Sequence, residues 1–309
     1  MSGPNSVIAR RDLFDLAKEF DVAGNAAGYV GLSIMPMFST SLQSGAFPKM
    51  NKEDLMKNAD DSRSPRGGYN RIDFGFDQDT FSCVERGLEG PVDETLAENY
   101  DSYLDAEIEM QNILLGHQAK NREIRIRDIV YAESGNAVGT AWSTAATCTP
   151  REDVKDAIAT VRDRTGVAPN GLTITWAKFQ EILVCEEFLG SAKFTANPLT
   201  MAFEAQVALV SAFLGVDLKI SSGIQNTADE GQDFSGSSIW DDTKGFLWIG
   251  GSSLQGGPKY GLTMNWSNDS LVGTESYEEE QTRSNIIRVR SHEDHKIVLS
   301  EAGYLFTGL

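Results

Sequence analysis

Cysteine and histidine are scarce in this 309-residue sequence, which contains three of each. Cys83, Cys148 and Cys185 are widely spaced and form no C-x-x-C pair, so neither a disulfide framework nor a structural zinc site is expected. No apolar run reaches the ~18 residues that a membrane span requires. Acidic residues also interrupt the N-terminal stretch where a signal peptide would be apolar. We therefore expect a protein that folds in a cytoplasm and does not contact a membrane.

Positive charge is also in short supply, with 27 basic residues against 45 acidic ones and a formal net charge of -18. A surface this negative repels phosphate and anionic lipid, which disfavours a function in reading nucleic-acid sequence. Loose enclosure of nucleic acid stays compatible with this charge. The hydrophobic content of 40% excludes wholesale disorder, and the length favours two folded regions with extended arms.

Residues that could form a catalytic or metal site are few. His292 and His295 stand in a short polar segment that we predict to be a hairpin turn, where their side chains would diverge into solvent. Cys148 and Cys185 have no histidine near them in sequence, and we expect buried thiols. The glycine-rich run at 250–259 lacks the Gly-Lys-Ser/Thr ending of a phosphate loop and is predicted to connect two strands. The sequence therefore predicts no catalytic, cofactor-binding or metal-binding residue.

The first ninety residues predict appendages. A short amphipathic helix is expected within 1–20, and the segment from 21 to about 49 shows no helical period, which suits an arm lying across a neighbouring subunit. After a polar loop at 58–70, apolar residues alternate with polar ones on both sides of 77–79. That pattern predicts a β-hairpin with its turn at 77–79, and loop and hairpin together would project as a flap.

The region after the flap predicts a long helix from 95 to about 120, because apolar residues recur there at spacings of three, four and seven. Acidic residues occupy its first turns and basic residues its end, as the helix dipole favours. We predict a strand at 121–131. Thr149-Pro150-Arg151-Glu152 then has the composition of a capping box at the start of another helix.

The second half of the chain predicts a compact α/β region. Strands at 172–175 and 218–221 alternate with helices near 179–183 and 201–214. The remainder is rich in strands, and we predict a hairpin of 285–291 with 296–300 around the polar segment noted above.

One charge pattern leaves two interpretations open. Twelve acidic residues and a single base, Arg86, lie between 73 and 109. The run is either a solvated helix face or a surface that pairs with basic groups on another copy of the chain. Arg63, Arg66 and Arg71 in the adjacent loop are candidates for those groups, because arginine makes forked contacts to carboxylates.

Five stretches carry a resemblance to a known family. They are GGYNRI (67–72), FSCVERGLEGPVD (81–93), NYD (99–101), DAE (105–107) and AGYLF (302–306). In this order and spacing the chain resembles the HK97-fold major capsid proteins of tailed bacteriophages. The resemblance implies an α+β HK97-like capsid fold.

The resemblance also implies a division of the chain. It places an N-terminal arm at 1–45, an E-loop (the flap) at 46–93 and a P-domain with a long spine helix at 94–149. An axial A-domain with a central sheet and flanking helices would occupy 150–260, and return strands 261–309.

The function that the resemblance implies is structural and not enzymatic. Identical subunits would assemble in a host bacterial cytoplasm into hexamers and pentamers of an icosahedral virion shell around double-stranded DNA, without sequence-specific contact. A separate scaffolding protein and a portal are expected partners, and a decoration protein is compatible with the pattern. No lysine occurs between Lys57 and Lys120, so we expect non-covalent clasping by the flap.

Two other functions stay open. An encapsulin-like bacterial compartment that packages enzymes would share the fold. A soluble α/β enzyme would need a convergent polar site, which the sequence does not predict. For the shell, the predicted contacts between subunits come from the E-loop and the spine helix: Arg63, Arg66, Tyr69, Arg71, Phe74, Phe76, Phe81, Glu85, Glu89, Glu94 and Glu98.

Overall fold

The computed structural model describes residues 8–9, 28–50, 56, 58, 61–63, 65–71, 76–93, 95, 105–191, 198–229, 231–253, 257–266 and 273–309. Its helices are α1 (Gly31–Ile34), α2 (Ala106–Tyr131), α3 (Pro150–Thr165), α4 (Trp176–Val184), α5 (Glu186–Ser191) and α6 (Phe203–Leu214). Its strands are β1 (Ile8–Ala9), β2 (Met37–Ser39), β3 (Ser44–Met50), β4 (Phe76–Ser82), β5 (Val84–Asp93), β6 (Gly135–Ala137), β7 (Gly171–Thr175), β8 (Asp217–Ser221), β9 (Ile224–Asn226), β10 (Gly236–Ser238), β11 (Lys244–Trp248), β12 (Gly261–Asn265), β13 (Gly273–Glu279), β14 (Ser284–Ile297) and β15 (Gly303–Thr307).

A mixed sheet, here called the β11 sheet, organises the second half of the chain. Its strand order is β6-β15-β11-β7-β8, in which β7 and β8 are parallel and β11 is antiparallel to both of its neighbours. Every residue of β7 is buried, as expected for an apolar strand in a covered sheet, and α4 packs against it. The predicted strands at 172–175 and 218–221 and the helices beside them are confirmed.

Helix α3 begins where the sequence predicts but for a different reason. Pro150 occupies the first helical position, which suits its missing N–H, and acidic residues fill the first turn. The Thr149 hydroxyl makes no capping hydrogen bond, so the predicted capping box is wrong. The helix ends at Gly166, whose φ of 74° is the left-handed conformation that glycine adopts most easily.

A second sheet, the β14 sheet, has the order β1-β13-β14-β12-β2, and β5 pairs with the other edge of β14. The predicted hairpin of 285–291 with 296–300 is wrong, because β14 is one strand of 14 residues that runs through the supposed turn. Glu293 in the middle of that segment pairs with Val84 on β5 and with Asn265 on β12. Neighbours on both edges hold the polar residues extended.

The side chains of this segment alternate between the two faces of the sheet. Glu293 and His295 are buried, whereas His292 and Asp294 are partly exposed. The prediction that the histidines diverge into solvent is therefore wrong for His295. Buried and partly exposed side chains alternate through this polar segment, as expected for a strand with one covered face.

Helix α2 packs on the covered face of the β14 sheet and is longer at its C-terminal end than predicted. Asp105 caps its start by accepting hydrogen bonds from the backbone of Glu107 and Ile108. The predicted strand at 121–131 is wrong, since α2 continues to Tyr131. Its buried residues recur at helical spacing and include polar ones: Gln111, Leu114, Leu115, Gln118, Arg122, Glu123, Ile126 and Val130. The start predicted at 95 falls largely on residues outside the described part.

The flap is a two-stranded ribbon of β3 and β4, paired from Ser44 with Ser82 to Met50 with Phe76. The predicted turn at 77–79 is wrong, because these residues lie inside β4. Their polar character reflects exposure on a ribbon, and Lys49 on β3 pairs with Asp79 at 2.8 Å. A polar stretch in a strand with water on one side has the same composition as a turn.

The predicted arm is anchored at its C-terminal end. The amphipathic helix predicted within 1–20 lies outside the described residues. Within 28–45, however, Val30, Ile34 and Met35 are buried in the chain's own core, and β2 pairs with β12. These contacts anchor the segment to its own chain, although Met37 and Leu42 are exposed at 37% and 59%. That the arm contacts a neighbouring subunit stays a prediction.

Candidate inter-subunit surface

The loop at 61–71 presents arginine and tyrosine side chains to solvent. The Arg63 guanidinium lies 4.5 Å from the centre of the Tyr69 ring and donates hydrogen bonds to the Gly67 carbonyl at 2.8 Å and the Tyr69 hydroxyl at 3.2 Å. Tyr69 is 76% exposed. Arg66 and Arg71 are exposed and make no hydrogen bond or ion pair with any described residue. Stacking holds an aromatic ring and a cation in one orientation.

The ribbon is joined to the β14 sheet by a small apolar cluster. Phe81 is only 8% exposed and lies with Phe47, Cys83, Leu262 and Met264. The prediction that Phe81 contacts a neighbouring subunit is therefore wrong, because its ring is already buried in its own chain.

The structure does not describe the side chains of two further phenylalanines of the predicted surface. Phe74 lies outside the described residues, and Phe76 is described only as the first residue of β4.

The uncovered face of the β14 sheet carries a ladder of opposite charges. Arg288 donates to Glu89 at 2.9 Å from β14 to β5. Arg290 lies 3.5 Å from Glu85 and also pairs with Glu275 on β13. Cross-strand pairs of this kind stabilise one register of a sheet.

This ladder changes the interpretation of the predicted acidic surface. Glu85 and Glu89 pair with arginines of their own chain, yet each carboxylate side chain is still about half exposed, at 57% and 51%. Glu94 and Glu98 lie outside the described residues. Sequence reasoning missed Arg288 and Arg290, and the available signal was their spacing of two on a strand.

Beneath α2, the opposite face of the same sheet contains a buried ionic cluster that the sequence did not predict. Arg122 donates to the Glu293 carboxylate at 3.0 Å, and Arg125 binds the other oxygen of the same carboxylate. Burial alone would raise the pKa of Glu293, but the charges of Arg122 and Arg125 hold that pKa below its usual value. Arg122 and Arg125 are among the basic residues that were predicted to end the helix. They instead connect the interior of α2 to β14.

His295 completes this cluster. Its Nδ1 lies 3.0 Å from the Thr263 hydroxyl, and its Nε2 lies 3.9 Å from Glu293 Oε1. Burial lowers the pKa of His295 to about 4, and the nearby Glu293 offsets only part of that effect. Across the described ranges, no group of three or more His, Cys, Asp or Glu side chains could hold a metal ion.

A second buried carboxylate connects three parts of the chain. Glu123 on α2 accepts hydrogen bonds from the backbone N–H groups of Val30 and Gly31, each at 2.8 Å, and from the Trp240 indole at 2.6 Å. Burial raises the pKa of Glu123 against the effect of these donors. The contact fixes the segment before α1 against α2.

The other features singled out in the sequence have structural roles. Cys148 and Cys185 are buried free thiols, as predicted. The glycine-rich run connects β11 to β12, as predicted, and the Asn170 side chain binds the backbone of Gly250 in both directions.

A cavity of about 640 Å³ lies beside β8, next to the exposed rings of Trp176 and Phe203, which are 5.1 Å apart. Its charged lining residues are Glu204 and Lys219. These side chains do not form a convergent catalytic set.

Comparisons with known proteins concern the fold. No protein-family model matches the sequence, and no curated protein is significantly similar to it. A phage-related protein from Bordetella bronchiseptica RB50 is similar in structure, with a TM-score of 0.74 and 19% identity over 98% of each chain. A virus-like particle from Pyrococcus furiosus has a TM-score of 0.57 and 12% identity over 95% of this chain and 99% of its own.

The mature capsid of bacteriophage PhiM1 has a TM-score of 0.51 and 14% identity over 90% of this chain and 86% of its own. The chain has the HK97-like capsid fold.

The exposed loop at 61–71 lies between β3 and β4, within the range 46–93 where the sequence resemblance implies an E-loop. Helix α2 lies within the range 94–149 where the resemblance implies a spine helix. None of the described helices combines the length and the apolar character needed to cross a bilayer.

Proposed function

We propose that the protein is the subunit of a closed shell that assembles from identical copies. The observation that carries the proposal is the HK97-like fold over nearly the whole chain. Solved structures of that fold include a virus-like particle and a phage capsid. A large acidic protein that must pack beside copies of itself also needs a local contact that offsets charge repulsion.

The loop at 61–71 supplies such a contact in this proposal. It combines Arg63, Arg66 and Arg71 with the exposed ring of Tyr69, on a chain whose formal net charge is -18. Arginine and tyrosine are enriched among residues that dominate binding energy at protein interfaces. We infer that the loop binds an acidic face of a neighbouring copy, and the half-exposed Glu85 and Glu89 are part of that face.

The finer features of the shell belong to the same proposal. They are icosahedral symmetry with hexamers and pentamers, enclosed double-stranded DNA, and assembly in a bacterial cytoplasm with a separate scaffolding protein and a portal. The division into arm, E-loop, P-domain and A-domain at the boundaries given above is also proposed. The negative surface supports enclosure of DNA without tight binding, because phosphates are repelled from the wall.

Electron microscopy of the purified full-length chain tests the proposal, combined with analysis of the particle contents. We expect closed particles of uniform diameter. Nuclease-protected DNA inside particles from infected cells would support the virion shell, whereas a co-purified enzyme would favour a bacterial compartment. A protein that stays monomeric at every salt and protein concentration, with and without scaffolding protein, would contradict assembly.

A further inference from the structure

The contact between α2 and the middle of β14 contains a histidine whose proton position can be deduced. The Thr263 hydroxyl donates its single proton to the Met35 carbonyl at 2.9 Å. The same oxygen must therefore accept a proton from His295 Nδ1, which lies 3.0 Å away. His295 Nε2 is then the bare nitrogen, and it is buried without a hydrogen-bond partner among the described residues.

The charges around this nitrogen are unevenly balanced. Arg122 and Arg125 approach from α2, and Glu293 on the same strand supplies the one carboxylate that both arginines bind. From β5, the charge of Arg86 also acts on Arg125. Asp294 faces the other side of β14, where it accepts from the Ser82 backbone, but its negative charge also acts on His295.

The remaining neighbours add little charge. From β12, Thr263 and Asn265 are neutral, and the Cys83 thiol beside β5 stays protonated because burial raises its pKa. Lys296 pairs with Asp294 at 3.5 Å, on the far face of the strand.

We propose that His295 makes this contact an acid-sensitive joint between α2 and β14. A proton from solvent binds Nε2, and the new N–H, 3.9 Å from Glu293 Oε1, competes with Arg125 for that oxygen. Protonation therefore adds a positive charge to a buried space in which two arginines already bind the Glu293 carboxylate, so α2 loosens from β14. Because burial lowers the pKa of His295 to about 4, the joint is closed at neutral pH and opens in mild acid.

The joint does not depend on shell formation, because all of its groups belong to one chain. It can therefore be tested on whichever assembly state the full-length protein adopts, and it would survive if the proposed function failed. His292, on the other face of the same strand, provides a matched control.

Hydrogen exchange measured by mass spectrometry, corrected for intrinsic exchange rates, tests the joint at pH 7 and pH 4.5. We expect protection of amides in 118–131 to fall roughly tenfold or more in the acid sample of the unmodified protein. The variant His295→Gln, which cannot titrate, should keep its protection, whereas His292→Gln should lose it like the unmodified chain. Equal loss in His295→Gln would overturn the proposal.

A second measurement covers the case in which His295→Gln does not fold. NMR titration of the histidine rings in the unmodified protein should show one ring with a pKa far below 6.5, whose titration coincides with the loss of protection in α2. A His295 ring that titrates near 6.5 while α2 stays protected would overturn the joint.

Discussion

The Arg122 guanidinium binds the Glu293 carboxylate at 3.0 Å with almost no solvent access to either side chain. In this pair a long helix and a long strand are joined by charge in the interior of the chain. Removing one member leaves buried charges without compensation, which costs more than the pair itself contributes.

Glu293→Gln is therefore expected to lower the free energy of unfolding by about 3–5 kcal/mol. Glu89→Gln is the matched control, because Glu89 pairs with Arg288 at a similar distance of 2.9 Å on the exposed face of the same sheet. We expect Glu89→Gln to lower the free energy of unfolding by less than about 1 kcal/mol. Urea unfolding at pH 7.5 measures both, and equal losses would show that burial does not decide the effect.

Gly31→Ala tests the contact between α1 and α2. A Cβ at Gly31 would lie 2.6 Å from Glu123 Oε2 and 2.9 Å from Ile126 Cδ1, so the buried carboxylate would have to move from its donors. The expected loss of stability is about 1–3 kcal/mol. Gly139→Ala, where the new Cβ meets nothing within 4 Å, should stay within about 0.5 kcal/mol of the unmodified protein. A neutral Gly31→Ala would show that this packing is not tight.

The contribution of His295 to the pH dependence of stability has a definite sign. Its folded pKa of about 4 lies below the ordinary value of 6.5, so the unfolded chain binds the proton first as pH falls. His295 does not lower the free energy of unfolding above pH 7, and it lowers that free energy by about 2 kcal/mol at pH 5. Urea unfolding from pH 7.5 to 5 should show that decrease, and His295→Gln should remove it. A decrease of equal size in the variant would assign the pH dependence to other groups.

Local composition predicted β7 and β8 of the β11 sheet, because short strand-like runs alternate there with helical patterns. Residues 172–175 and 218–221 need no distant information to be identified as buried strands. The overall fold followed from the order of such segments together with a few short family-like stretches.

The errors at 121–131 and 292–295 have one physical cause, which is contact between residues distant in sequence. Residues 292–295 look like a turn until Val84 and Asn265 are known to flank Glu293. The apolar and basic residues of 121–131 fit a strand. In the structure, however, Arg122 is buried against Glu293, and Glu123 is buried against Val30. The exposed arginines of the loop were predictable from sequence, because exposure requires no partner.

Variants of the loop at 61–71 provide the measurement that tests self-assembly most directly. Sedimentation velocity should show the unmodified protein as large, uniform particles. Arg66→Glu and Arg71→Glu should each reduce the assembled fraction roughly tenfold or more, because truncating or reversing an interface arginine typically costs a few kcal/mol. Circular dichroism and unfolding should be unchanged. Arg162→Glu, at an exposed site on α3, is the control and should assemble normally. Normal particles from both loop variants would contradict the arginine contact. An unmodified protein that sediments only as a monomer, with and without scaffolding protein, would contradict the shell.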